Sequence, residues 1–455
     1  MLGPINSAQY DVRLGYLSRV FLASLGAVIV PGIVSSAPVF ALDLTDDSDL
    51  ITSTVASRER LRTYDANRRY GAETVRERDR QYVKPEGIRA GRFNFFPSAG
   101  ITTTYDDNIF AAPDNTVQDL RTELDAGVEI NSDFSRHQLN FAFGGRFVEF
   151  LDNPDQNFVA GAALMQGALH FDHAHTLSVS LSSDLGYEER GSQTVPIAAA
   201  EPVPVWANEA TIGITRDVGK LYGTLSAQFI HRDYYDIKAL NGTTLDQDLR
   251  DSTQYSTQLS AGYRFSPGFE AISKIRYVRQ DSIDKANPFI DSDGYEALAG
   301  LSFETSPLLR WRLLAGYGIR NYDHPELENF GTSLLEGHVE WLPTERMTVS
   351  SSLSRKVETI DAADDGGRVE TALSATIDYD IANNMVMSIG GGISNSDFIG
   401  TNRDDWTYAG NINFEYFLNK NWSFTINYDH EVRDSNLAAF DYTRHRVGIG
   451  AKMKF

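Results

Sequence analysis

Three small groups of side chains in this 455-residue chain have types and spacings that chemistry uses. His170, His173 and His175, with Asp172 among them, are close enough in sequence to ligate a metal ion, since imidazole nitrogens and carboxylates are common zinc donors. They fall at a tight turn, however, and polar turn residues are the plainer reading. Asp106, Asp107 and Asn108 offer the oxygen donors that calcium takes, but the spaced calcium loop with its glycine is not there. Ser350 and His338 supply the atoms of a hydrolytic pair without a nucleophile motif. Gly390, Gly391 and Gly392 lie between Ile389 and Ile393 in mid-strand, where they make a thin spot or bend in a wall and not a phosphate cradle. No catalytic, cofactor-binding or metal-ligating residue is assigned on these grounds, no cofactor is implied, and the chain is not read as an enzyme.

A larger group is distributed along the chain: Arg146, Lys274, Arg276, Arg310, Arg312, Glu336, Asp429, Arg444 and Arg446. Each sits in a strand-length segment whose side chains alternate in character. Along residues 444 to 455, Val447, Ile449, Ala451, Met453 and Phe455 share one face, and Arg446, Gly448, Gly450, Lys452 and Lys454 share the other. Leu120, Leu124, Ala126, Val128 and Ile130 alternate in the same way with Arg121, Glu123, Asp125, Gly127 and Glu129. One face suits lipid and the other water. The charged group therefore reads as pore-lining residues, offering weak, distributed contacts to a passing hydrophilic solute.

The elements that must hold such residues follow from segment lengths and connections. Outside the first forty residues nothing approaches the 18 or so consecutive apolar residues of a spanning helix, so a membrane role needs strands. From about residue 96 short turns alternate strictly with long polar connections, the pattern of a transmembrane antiparallel up-and-down β-barrel. Strand starts near residues 97, 120, 137, 158, 175, 205, 220, 252, 268, 294, 309, 331, 346, 368, 384, 406, 421 and 440 make an eighteen-stranded, all-β barrel. Sixteen strands stay open, because residues 158 to 171 alternate poorly. A soluble β-sandwich would alternate too, but its strands are shorter than the ~9–11 residues that cross a bilayer obliquely.

Three turns carry charges that test the register: Arg264 with Glu270, Glu304 with Arg310, and Glu340 with Arg346 are expected to lie side by side across the turn. Aromatic residues gather towards both strand ends, with Phe171, Phe265, Phe303, Trp311, Trp341 and Trp422 near turns and Tyr187, Trp206, Tyr255, Tyr295 and Trp406 near loops. Two interfacial girdles are expected.

Before the barrel, residues 1 to 41 read as a secretory signal cleaved after Ala41, with Arg13 and Arg19 preceding the apolar run Val20 to Val30. Residues 42 to 95 are rich in arginine and acid with little to bury, and read as a periplasmic leader, a short helix or a disordered segment. The chain has no cysteine, and so no disulfide or thiolate chemistry. A formal charge of -21 excludes a nucleic-acid binder, which needs a basic face. The long connections alone hold 30 Asp and Glu against 5 Lys and Arg, so the outer mouth is strongly acidic and is read as solvated loops.

Residues 78 to 110 resemble the start of the second family of outer-membrane β-barrel porins: Pro85, Gly87, Ile88, Phe93, Phe96 and Pro97 lead into a first strand ending in Tyr105, Asp106, Asp107 and Asn108. Ser132 to His137 in the next hairpin resemble that family as well. The resemblance implies a cell outer-membrane channel for secretion of an exopolysaccharide or capsular polysaccharide, working with a periplasmic polysaccharide-export protein. The other reading is a passive porin for small hydrophilic solutes or oligosaccharides. Either way the expected partners are outer-membrane lipid, lipopolysaccharide and the barrel-assembly machinery, for which Phe455 is read as an assembly signal.

Overall fold

Alternating apolar and polar residues cannot be satisfied by a helix, whose faces recur every 3.6 residues, but they fit a strand with lipid on one side and water on the other. The structure, a computed structural model, describes residues 73–76, 78, 80, 85–188, 190–192, 195–196, 198–283, 291–358 and 366–455. The signal sequence and most of the leader lie outside the described residues.

Eighteen wall strands run in chain order: β1 (Phe93–Asp106), β2 (Asp119–Ser132), β3 (Gln138–Phe150), β4 (Phe158–His170), β5 (His175–Glu188), β6 (Val203–Val218), β7 (Leu221–Tyr234), β8 (Ser252–Ser266) and β9 (Phe269–Ser282). They continue as β10 (Ser292–Ser306), β11 (Leu309–Tyr322), β12 (Phe330–Thr344), β13 (Met347–Glu358), β14 (Gly367–Ala382), β15 (Met385–Ile399), β16 (Asp404–Phe417), β17 (Trp422–Ser435) and β18 (Tyr442–Lys454). Each pairs antiparallel with its sequence neighbours, and β18 closes the wall on β1 from Ser98↔Lys454 to Asp106↔Arg446. The Phe455 amide adds a bond to the Pro97 carbonyl at 3.0 Å. Closure leaves no unpaired edge, which a bilayer would penalise.

The segment at 158 to 171 is a full strand, so the barrel has eighteen strands and not sixteen. Its alternation is weak for a physical reason. The inner face of β4 carries Phe158, Ala160 and Leu164, all buried, because other parts of the protein cover them.

The register holds at two of the three test turns, with Arg264↔Glu270 and Glu304↔Arg310 opposite one another. The ion pairs are partly different. Arg264 reaches Asp217 on β6 at 2.7 Å, and Glu270 accepts from the Tyr222 hydroxyl at 2.9 Å. At the third turn the expectation fails: β12 runs on to Thr344, which pairs with Met347, and an irregularity after Trp341 sets Glu340 opposite Ser350. Glu340 is instead paired with Arg310 of β11 at 2.7 Å.

On the lipid face, Trp206, Tyr255, Tyr295 and Trp406 are exposed at one end, and Phe171, Phe265, Trp341 and Trp422 at the other. Phe265, Phe269, Phe303 and Trp311 stack ring on ring at 4.8, 4.2 and 4.6 Å across four strands, a continuous part of the turn-side girdle. Tyr187 departs from the outer group and stacks on Phe158 at 5.6 Å. On the inner face of β10 and β11, Leu298 lies opposite Gly316 and Leu314 opposite Gly300. A methyl group at either glycine would overlap the facing backbone, so these pairs need glycine.

Candidate functional site

Period-two alternation delivers a charged side chain to the inner face at every second position, and a charge held against the wall is stable only beside an opposite one. The interior is accordingly a set of ion-pair ladders. Arg146 on β3 meets Asp125 at 2.9 Å and Glu123 at 3.3 Å, and Arg121 joins Glu123 at 2.7 Å. Lys274 on β9 reaches Glu336 on β12 at 2.6 Å, and Arg312 on β11 approaches the other oxygen of Glu336 at 2.7 Å. Arg276 lies 3.7 Å from Glu296, and Arg310 bridges Glu304 and Glu340. Asp429 stands opposite Arg446 across β17 and β18, and accepts from Asn427 at 3.2 Å. Arg446 also lies 3.8 Å from Glu431. Arg444 is buried against Asp106, with nitrogen to oxygen distances of 2.5 to 3.1 Å. Arg146, Lys274, Arg276, Asp429, Arg444 and Arg446 are buried, and Arg310, Arg312 and Glu336 take part in ion pairs across neighbouring strands.

The outer mouth differs from a ring of solvated loops. The connection after β1 turns inward, and Ile109 packs with Val148, Phe150, Phe158 and Ala160 of the inner wall in a small apolar core, flanked by Phe110 and Tyr187. Asn108 fastens this connection: its side-chain oxygen accepts from the Ala112 amide at 3.0 Å, and its nitrogen donates to the carbonyls of Ala112 at 2.9 Å and Thr443 at 3.0 Å. The connection after β5 crosses to meet it. Arg190 lies over the Phe110 ring at 5.5 Å and donates to Gln156 at 3.1 Å and to the Ala199 carbonyl at 2.6 Å, while Arg444 donates to the Arg190 carbonyl at 3.3 Å. Burial pushes the Arg190 guanidinium down to about 10, which leaves it charged at neutral pH. A second apolar cluster, Ala199, Val203, Tyr234 and Ile237, anchors the far end of that connection.

Much of the acid at the mouth is likewise held in the wall. Glu188 pairs with Arg250 at 2.6 Å, Glu358 with Lys356 and Arg368, and Asp405 with Arg403 at 2.6 Å. Asp119 accepts from the amides of Leu120, Asp152 and Asn153.

The smaller groups are accounted for by local structure. Asp172 caps its turn, accepting from the amides of Ala174 and His175 at 2.7 and 2.8 Å and lying 2.9 Å from His175 Nδ1. The hydrogen bond from His175, with the Ala174 amide next, holds the Asp172 carboxyl down to about 2. His170 turns away to Thr176. Asp106 is committed to Arg444, Asp107 accepts from the His445 amide at 2.7 Å, and Asn108 ties the first connection, so all three serve the mouth's architecture. His338 lies opposite Ser352 in the register, and Ser350 lies opposite Glu340.

Sequence reasoning missed the seat of the leader. Val75 is buried with Val386 and Phe417 on the inner wall near the turns, and its amide donates to Thr348 at 2.9 Å. Arg76 pairs with Asp378 at 2.7 Å, and Arg78 and Arg80 both reach Asp380. The signal was present in two halves, an arginine-dense segment and a pair of inward aspartates on β14, three hundred residues apart.

A family model described as "Putative beta-barrel porin 2" matches residues 81–455. No curated protein matches significantly. Among solved structures, Pseudomonas aeruginosa OpdO is 11% identical with a TM-score of 0.44, covering 79% of this chain and 97% of that one. Pseudomonas aeruginosa OpdK, solved with vanillate, is 10% identical with a TM-score of 0.43, covering 79% and 99%. Acinetobacter baumannii OccAB2 is 12% identical with a TM-score of 0.43, covering 80% and 98%.

Proposed function

The chain belongs to the family described as "Putative beta-barrel porin 2" and is an outer-membrane β-barrel channel, and from that premise we propose that it passes small hydrophilic solutes by passive diffusion. The observation that carries this reading is the inward fold of the connections after β1 and β5, which meet across the mouth at Phe110 and Arg190. A segment packed on the inner wall subtracts from the bore, and this one is held by an apolar core and hydrogen bonds. Below it, paired charges such as Lys274, Arg312 and Glu336 offer polar contacts without a deep trap for one ion. Neutral or weakly charged hydrophilic solutes meet polar contacts and paired charges along such an interior. No side chain is given a catalytic role.

Secretion of an exopolysaccharide with a periplasmic partner, which the family resemblance implies, requires both connections to leave the bore while a chain threads it. The small-solute reading needs no such movement and is preferred. Lipopolysaccharide at the aromatic girdles and the barrel-assembly machinery at Phe455 are the partners inferred for either reading. The test is swelling of liposomes carrying the purified chain in sugars of graded size. Rates that fall steeply from monosaccharide to tetrasaccharide support the proposal; equal rates for long oligosaccharides, together with loss of secreted polymer on gene deletion, would reverse the preference.

A further inference from the structure

The inner wall near the turns between β13 and β16 holds a site built for arginine. Asp378 and Asp380 project inward from β14, with Thr348 of β13 and Ser388 of β15 beside them and Val386 and Phe417 forming an apolar floor. Strand alternation alone would leave two carboxylates close together here, an arrangement that needs cations. The chain's own leader supplies them. A turn is closed by the Arg78 amide donating to the Thr74 carbonyl at 3.0 Å. That turn seats Val75 on the apolar floor at 1% exposure. Arg76 Nε donates to Asp378 at 2.7 Å and a terminal nitrogen to Ser388. Arg78 donates to Asp380 at 2.6 Å and to the Glu345 carbonyl at the turn. Arg80 donates to Asp380 and back to the Val75 carbonyl at 2.9 Å, with its guanidinium over the Phe417 ring at 5.8 Å.

The path to this seat is marked as well. Glu86 lies 2.9 Å from Lys420 in the turn between β16 and β17, which holds its carboxyl below the usual range, and Gly87 takes a left-handed φ of 73° over the Phe96 ring. The leader thus comes from the turn side of the barrel, which in outer-membrane barrels is the periplasmic side.

We propose that Val75, Arg76, Arg78 and Arg80 form a tethered stopper for the periplasmic mouth, seated by an arginine-selective site at Asp378, Asp380, Val386 and Phe417 and released when those ion pairs are broken. The inference rests on the channel reading above. Three features fit a contact that opens. The ligand is covalently attached, so its local concentration is high whatever the intrinsic affinity. Arg76 and Arg78 keep side-chain exposures of 28% and 31%, so their pairs are open to screening by salt. Among the described residues of the leader, one apolar side chain, Val75, is buried with them. Release would bare Asp378 and Asp380 in the bore, shifting it towards cations as it widens.

The chain has no cysteine, so Val75→Cys with Phe417→Cys introduces a single disulfide at the seat. The full-length variant is extracted from outer membranes, its migration with and without reductant compared, and its potassium chloride conductance recorded in planar bilayers. The expected result is a reductant-sensitive band, and a conductance that rises with reductant, falls on reoxidation and becomes more cation-selective when open. Asp378→Asn with Asp380→Asn should give the open conductance without reductant, and Arg76→Gln with Arg78→Gln and Arg80→Gln should give the same open level with the cation selectivity that the two bared aspartates supply. Failure of the disulfide to form in a heat-modifiable, inserted barrel would overturn the seat. A disulfide that forms but leaves conductance and selectivity unchanged would overturn the stopper. Neither readout depends on the size of solute transported, so the small-solute reading stands or falls separately.

Discussion

If the inward connection after β1 sets the outer bore, loosening it should admit larger solutes by a calculable amount. Ile109 is 2% exposed and packs on Val148, Phe150, Phe158 and Ala160. Truncation of a buried isoleucine to alanine costs about 2–5 kcal/mol. The three Asn108 hydrogen bonds that remain contribute roughly 0.5–1.5 kcal/mol each, so the connection is weakened but not freed. A loss of about 2 kcal/mol multiplies the population of the open connection by about thirtyfold, since about 1.4 kcal/mol is a factor of ten. The Ile109 amide donates to the Val117 carbonyl at 2.9 Å, so it reports the opening directly. Ile109→Ala should accelerate hydrogen exchange at this amide by that factor, and liposomes should then swell faster in tri- and tetrasaccharides while the monosaccharide rate changes little. Unchanged exchange would refute the packing argument. Faster exchange with an unchanged size cut-off would refute the claim that this connection limits passage.

Other perturbations test other parts of the wall. Arg444→Ala leaves Asp106 buried without its cation and should cost about 3–5 kcal/mol in urea titrations of the folded barrel, with part recovered by adding Asp106→Ala. Gly300→Ala and Gly316→Ala each drive a methyl group into the facing backbone and should reduce the heat-modifiable, inserted fraction, whereas Gly410→Ala on β16, whose added methyl group meets nothing nearer than the Gly390 carbonyl at 4.0 Å, should insert at the parent level. Asp172 is held down to about 2 from its ordinary 3.8, so its contribution to the order of the turn is complete above about 3.8 and is lost as pH falls through about 2. A carboxyl titration by NMR should place its midpoint there, and His175→Ala should move it up. Deleting Phe455 should lower the amount of barrel assembled without altering the conductance of the channels that do insert.

How far the sequence could be read depended on the range of the interactions concerned. Period-two alternation and turn chemistry act over a few residues, and they placed all eighteen strands, none starting more than four residues from its position in the structure; the largest offset is the first, 97 against Phe93. The same local rules put the nine charged residues on one set of alternate positions. Partner choice was less legible, because a long arginine can reach either neighbouring strand. Arg264 takes Asp217 over the facing Glu270, and Glu340 takes Arg310 once the third turn lengthens.

What the chain determined by itself was the wall: sidedness and closure follow from patterns that repeat every two residues and every hairpin, while the choice of eighteen strands over sixteen was settled by Phe158–His170 being a full strand. What only the tertiary structure decided was the bore. The connections after β1 and β5 carry enough polar and acidic residues to pass for solvated loops, yet Ile109 and Phe110 find an apolar patch on β3 and β4 that exists only once those strands are side by side. The leader's arginines, likewise, meet Asp378 and Asp380 only because closing the barrel brings three hundred residues of separation to a few ångströms. Contacts of that range leave no periodic trace in a sequence, and they are the ones that fasten these segments to the inner wall.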